Sequence, residues 1–402
     1  MSRLDGFRAV VNEYWAAVVV TAALLGVSLW MHLSVTWSPM TLPDSEWQDK
    51  LNLHLTWAPF AVRYFQNYST LALHYLFGWP IRESFFVVQY GLAFILGLVL
   101  YRYFQRLGFS RGWSLVGLGL ALSAYPVLGA HFEPTHTWDD FWSYLFLAAA
   151  LLTALNRRPI TSAIYLTLGC FAREQIILFY PVWAVLLLTQ RESAGRTRLL
   201  ISLAMTPLVL AVFRAVTWQP LDPSRWRLYT FNFSDIPHTD DTLVSTVIAF
   251  GALWLLSIAG LWFVSRLDDK SSRRLLFWGM ATAVPATTAV TLLFSYARET
   301  RIFFPSFVII VPLSLLALRS FWQYTIKRRI RWVLLAMIPL TVPAIFFGLK
   351  LSHRAFSKFD YGSNAFFRRD LAGVHFGLAL ICVIAVLLAG AIQLTRRLKS
   401  RV

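Results

Sequence analysis

The sequence predicts an all-α, polytopic membrane protein with about twelve transmembrane helices (11–13). Three observations carry this: composition, the recurrence of one apolar run length, and the placement of the basic residues. Of the 402 residues, 57% are hydrophobic and 16% aromatic while only 14% are charged, too apolar a balance for a water-soluble domain of this size. Apolar stretches recur at close to the roughly 20 residues that a helix needs to cross about 30 Å of hydrocarbon. Lipid offers no hydrogen bonds, so backbone groups inside such stretches must satisfy one another, and helices follow.

In order, the expected spans are Tyr14–Leu33, Ser84–Phe104, Trp113–Ala130, Asp139–Leu155, Ile160–Ala172, Gln175–Leu188, Arg198–Thr217, Thr242–Val264, Leu275–Tyr296, Ile302–Leu318, Trp332–Lys350 and Val374–Leu394. The fifth and sixth are short and also read as one bent span or a re-entrant hairpin; the charge distribution favours two crossings. With the N-terminus cytoplasmic, 23 of the 37 Lys and Arg residues fall in inner segments, whereas only 5 of the 20 Asp and Glu residues do. The expected topology has both termini cytoplasmic in a plasma (inner) membrane. The net charge of +17 is spread between spans rather than gathered in one basic domain, so membrane lipids and not nucleic acid are the expected partners. Cys170 and Cys382 both lie in apolar runs and indicate no disulfide framework. The first apolar stretch is long and has no small-residue cleavage site, and reads as a signal anchor.

Residues 1–402 read as a single transmembrane domain without a separate soluble domain. The longest outer segment, 34–83, is acidic at its start and rich in aromatics, which directs function outward. Within it Leu55–Tyr64 and Tyr68–Phe77 carry apolar residues at helical spacing, expected as short amphipathic helices at the interface. Asn67-Tyr68-Ser69 and Asn232-Phe233-Ser234 match the glycosylation acceptor pattern, which is short enough to arise by chance.

Ionisable residues at membrane depth are costly, and four polar clusters at span ends are candidates for function. In Leu42-Pro43-Asp44-Ser45-Glu46-Trp47-Gln48-Asp49, Asp44 or Glu46 can serve as a general base; the rival is a solvated acidic loop. The segment from His131 to Asp140 combines Glu133 and His136 with Asp139 and Asp140, an alternation of His and acid that suits ligands of a divalent ion such as Mg or Mn. Its rival is capping of the helix that begins there. Arg173-Glu174 interrupts the apolar run from Ile160 to Leu188, as the outer tip of a hairpin or as a buried pair facing a cavity, and Arg173 can bind phosphate through its planar fork of donors. In Arg298-Glu299-Thr300-Arg301, two arginines around one glutamate suit a lipid phosphate, against an interfacial salt bridge with a snorkelling arginine. No Walker loop, dinucleotide fingerprint, nucleophile elbow or zincin motif is present.

The segment Arg298-Glu299-Thr300-Arg301-Ile302-Phe303-Phe304-Pro305 resembles the His-Lys-Glu-x-Arg-Phe segment of lipid-linked mannosyltransferases in the glycosyltransferase C superfamily, with Ala297, Arg298 and Ile302 replacing His, Lys and Phe. The run from Leu42 to Gln48 similarly resembles the Pro-Asp-Glu-x-x-Gln run that follows the first span in these enzymes, with one residue inserted between the acids. The resemblance implies a membrane glycosyltransferase with a polyprenyl-phosphate-linked sugar donor and a glycan, lipid or protein acceptor on the extracytoplasmic face. It implies Asp44 as catalytic base with Glu46 second, Asp139 or Asp140 as a second acidic site, and Arg173, Arg298 and Arg301 on the lipid phosphate, with Glu174 and Glu299 in support. The alternatives are a multi-pass transporter, a lipid-linked glycan flippase or a polymerase. A transporter would place ionisable residues near mid-bilayer in several spans, whereas a transferase would gather them at one end.

Overall fold

A computed structural model of the protein describes residues 3–33, 42–56, 64–128, 138–189, 195–217, 230, 232–295 and 300–327. The described residues are helical, without a strand among them. The principal helices are α1 (Arg3–Leu33), α2 (Asp44–Thr56), α3 (Tyr64–Phe77), α4 (Ile81–Arg106), α5 (Arg111–Leu122), α6 (Asp140–Leu155), α7 (Pro159–Ala172), α8 (Tyr180–Leu188), α9 (Arg196–Thr217), α10 (Ile236–Phe250), α11 (Leu253–Leu261), α12 (Lys270–Trp278), α13 (Val284–Phe294) and α14 (Phe307–Lys327). A π-helical turn, Gly279–Ala283, joins α12 to α13. Four stretches, Ile81–Arg106, Arg196–Thr217, Lys270–Phe294 and Phe304–Gln323, are long and apolar enough to cross a membrane. The two last expected spans, Trp332–Lys350 and Val374–Leu394, lie outside the described residues.

Two differences from the expected elements have local causes. The acidic run after the first span is not a loop: Asp44 and Glu46 open α2, where carboxylates favour the positive end of a helix. The expected eighth span is broken at Gly251, whose φ of 51° lies in the left-handed region, so α10 and α11 are separate helices.

α14 is the centre of the bundle, with 83% of its most apolar window buried, whereas only 17% of the corresponding window of α9 is buried. On α9, Leu208, Val212 and Val216 are 61%, 63% and 79% exposed, an apolar surface suited to lipid. Close approach of α11 to α14 depends on Gly260, where a Cβ would lie 2.0 Å from the Leu313 carbonyl oxygen.

α14 and α9 each carry an internal proline, and in each a tyrosine repairs the resulting gap. Pro312 has no N–H to offer the carbonyl four residues earlier, and the Tyr103 hydroxyl donates to that Val308 oxygen at 2.8 Å. Pro207 likewise deprives Leu203, whose carbonyl accepts from the Tyr180 hydroxyl at 2.6 Å.

α7 and α8 form a hairpin. Trp183, in the first half of α8, donates its indole N–H to Ser162, near the start of α7, at 2.6 Å. The turn is made by Arg173, extended at φ −151° and ψ 123°, and the 3-10 turn Glu174–Phe179. Of the two placements expected for Arg173-Glu174, the hairpin tip is the one observed.

Candidate functional site

Asp140, in the first turn of α6, is 2% exposed and faces two guanidiniums. Its Oδ1 lies 2.8 Å from Nε of Arg173 at the hairpin tip, and its Oδ2 lies 3.3 Å from a terminal nitrogen of Arg301, in the 3-10 turn Thr300–Ile302 ahead of α14. Arg173 is 5% exposed and Arg301 8% exposed. Charges this deep persist only when paired, so the three groups form one unit, and removal of Asp140 leaves two guanidiniums facing the position of a lost carboxylate. Asp139, at the cap position of α6, is as buried as Asp140 and makes no side-chain capping bond there. A side-chain capping bond therefore does not account for Asp139.

The same unit is held through the backbone. The Tyr144 hydroxyl, one turn along α6 from Asp140, donates to the Arg301 carbonyl at 2.9 Å, so one face of α6 grips Arg301 by side chain and by main chain. Gln175 Nε2, at the hairpin tip, donates to the Ile302 carbonyl at 3.2 Å.

Arg173 and Glu174, neighbours in sequence, face different partners. Glu174 lies 3.2 Å from Arg214 near the end of α9, with side chains 40% and 47% exposed. Arg173 and Glu174 are thus not each other's salt bridge, and Arg173 shares Asp140 with Arg301, two guanidiniums on one carboxylate.

Asp44 does not touch this unit. Its Oδ1 accepts from the backbone N–H of Arg82 at 2.9 Å, in the first turn of α4, where Pro80 has no side-chain capping bond to give. The Arg82 side chain returns to the Leu42 carbonyl at 3.1 Å and to Glu83. Glu46, the expected second acid, is exposed. An aromatic hub links α2 to the start of α6 instead. Trp47, one turn after Asp44, stacks on Trp138 at 6.2 Å, and His54 stacks on the same indole at 4.5 Å with ring planes 12° apart. The Trp138 indole N–H donates to Asn67, whose amide donates to the His54 carbonyl at 3.1 Å, while Gln89 donates to the Trp138 carbonyl at 2.8 Å. Trp138 immediately precedes Asp139 and Asp140, so α2 and α3 are docked against the segment that presents both acids.

Three of the expected site residues thus meet directly: Asp140, Arg173 and Arg301. Asp139 adjoins them, Asp44 is connected through Trp47 and Trp138, and Glu133, His136, Arg298 and Glu299 lie outside the described residues. Asn67 and Asn232, the two glycosylation candidates, are buried and hydrogen-bonded inside the fold, so neither is a surface acceptor. Sequence reasoning missed Tyr144, Gln175, Arg214 and the polar partners of Trp138. Only Tyr144 carried a signal, its one-turn spacing from Asp140. Among the described residues no group of three or more His, Cys, Asp or Glu side chains is placed to share a metal ion, and the oxygens of Asp140 are directed at guanidiniums.

Comparison of the chain with family models, with curated proteins and with solved structures finds no match.

Proposed function

We propose that the chain is an integral membrane glycosyltransferase that moves a sugar from a polyprenyl-phosphate-linked donor to a glycan, lipid or protein acceptor at the extracytoplasmic face. The observation that carries this reading is the buried Arg173–Asp140–Arg301 unit: two guanidiniums held in fixed orientation at one end of the bundle. Fixed cations facing developing negative charge commonly lower a reaction barrier more than any other single effect, and the leaving group here is a phosphate. On the twelve-span topology that end is the outer one.

The proposed mechanism takes its roles from the resemblance to lipid-linked mannosyltransferases. An acceptor hydroxyl loses its proton to Asp44 as its oxygen bonds to the anomeric carbon. The bond from that carbon to the phosphate oxygen breaks, and the electron pair leaves with the polyprenyl phosphate, whose charge the arginines stabilise. Asp44 suits this role by position, since one carboxylate oxygen is anchored on the Arg82 N–H and the hub fixes the helix that carries it. No step is assigned to a divalent ion.

Transport has less support. Among the described residues the buried Asp, Glu, Lys and Arg side chains are Asp139, Asp140, Arg173 and Arg301, all at one end rather than distributed through mid-depth.

Asp44→Asn tests the reading. Asparagine keeps an oxygen for the Arg82 N–H, so folding should persist while transfer from a polyprenyl-phosphate donor is lost. Full transfer activity in this variant would remove Asp44 from the mechanism.

A further inference from the structure

Arg214 is a guanidinium beside the buried unit that the mechanism above leaves unused. It lies on α9, the least covered of the long apolar helices, and shares its side of that helix with the exposed Pro207 and Ala211 and the half-buried Leu210. Phe213 packs edge-on against Phe171 and Tyr64, with ring centroids at 4.8 and 6.5 Å, which fixes the register of this end of α9 and keeps Arg214 at the hairpin tip. Its ion-pair partner there is Glu174, the residue that follows Arg173. The two arginines therefore stand on either side of one peptide step, Arg173 buried in the protein and Arg214 exposed. An exposed pair of this kind contributes little and exchanges partners readily, unlike the buried pairs at Asp140. A phosphate offers a guanidinium at least the charge of a carboxylate and a matching bidentate geometry.

We propose that Arg214 is the first protein contact for the phosphate of a polyprenyl lipid arriving from the bilayer, and that Glu174 occupies this guanidinium until the phosphate displaces it. The identity of the lipid rests on the function proposed above; the side of approach and the exchange at Arg214 are the new content. A lipid phosphate at Arg214 has its chain along Pro207, Leu210 and Ala211 of α9 and its headgroup beside Glu174, one residue from Arg173.

The test measures binding of a long-chain polyprenyl phosphate to the full-length protein in phosphatidylcholine nanodiscs, with the uncharged polyprenol and inorganic phosphate as competitors. Arg214→Ala should weaken binding by roughly tenfold, the loss expected for one charge-assisted contact, and Arg214→Lys should recover part of it. Glu174→Gln removes the competing carboxylate and should tighten binding, a change that loss of structure would not produce. Polyprenol should not compete. Wild-type affinity in both Arg214→Ala and Glu174→Gln would overturn the inference. So would inorganic phosphate displacing the lipid as effectively as unlabelled polyprenyl phosphate, which would assign the site to a soluble anion. Binding that depends on Arg214 without sugar transfer would leave the site standing and remove the transferase reading; transfer with binding insensitive to Arg214 would do the reverse.

Discussion

The two ends of the bundle each carry an Asp that joins three segments through arginine, yet they differ in burial. At one end, Asp140 joins α6, the hairpin tip and the turn before α14, with all three charged groups nearly inaccessible. At the other end, Arg106 closes α4 and reaches the Leu155 carbonyl at 2.7 Å, Asn156 at 3.1 Å and Asp269 at 3.6 Å, with Arg106 and Asp269 about a third exposed. Asp269 also caps α12, accepting from the backbone N–H of Ser271 at 3.3 Å and of Ser272 at 3.1 Å. The second cluster is a fastening of loops in high dielectric, where each contact contributes little. The first places opposite charges where desolvation is expensive, a cost that a purely structural tie could avoid with apolar side chains. That contrast is the reason to look for chemistry at Asp140 and not at Asp269.

The comparison breaks most decisively at Asp140 itself. Asp140→Asn removes the carboxylate that two buried guanidiniums face and should cost about 3–5 kcal/mol, read as a large fall in thermal midpoint in detergent together with loss of the proposed transfer. A midpoint close to wild type would place Asp140 in a wetter setting than its 2% exposure implies. Next in size is the repair of the proline gap between the two ends. Tyr103→Phe leaves the Val308 carbonyl buried without a donor and should cost roughly 1–3 kcal/mol in chemical unfolding, with little effect on donor binding. Tyr144→Phe should cost a similar amount in stability, but it should also slow transfer, because the same hydroxyl positions Arg301. Equal rates in the Tyr103 and Tyr144 variants would show that the grip on Arg301 has no catalytic consequence.

At the opposite end, Asp269→Ala removes a helix cap and should cost about 1 kcal/mol, leaving transfer unchanged. Smallest is a pH effect. Burial pushes the Asp269 carboxyl up, but hydrogen bonds from Ser272 and Ser271 and the Arg106 charge outweigh it and hold the group below the usual carboxylate range. A folded-state value below the unfolded one means that this stabilisation is complete above the ordinary carboxylate pKa of about 4 and is lost as pH falls through the depressed value. Unfolding measured between neutral pH and pH of about 3 should show a shallower acid loss in Asp269→Asn than in wild type.

Much of the helical layout was legible because it follows from local periodicity. The segments Asp140–Leu155, Pro159–Ala172 and Arg196–Thr217 fall within two residues of their expected bounds, since apolar run length and flanking charge mark where a helix ends. Pro312 and Pro207 announce a missing hydrogen bond in any sequence, but the tyrosines that supply it come from α4 and α8, and their identity depends on which helices pack together. The same holds for the arginines. That Arg173 and Arg301 sit at span ends is a local property; that both converge on Asp140, one of them 161 residues away, is not.

By itself, then, the sequence determined a helical chain rich in membrane-length apolar runs and the positions along it where charge interrupts them, because both depend on neighbours within a turn or two. The tertiary structure alone decided which interruptions are buried together and which stay exposed. Arg173 and Glu174 show the reason most directly. Adjacent in the chain, they project from an extended turn toward different helices, so one charge enters the core to meet Asp140 and the other meets Arg214 at the surface. No periodicity in sequence encodes that divergence, since it depends on the placement of α6 and α9 around the hairpin.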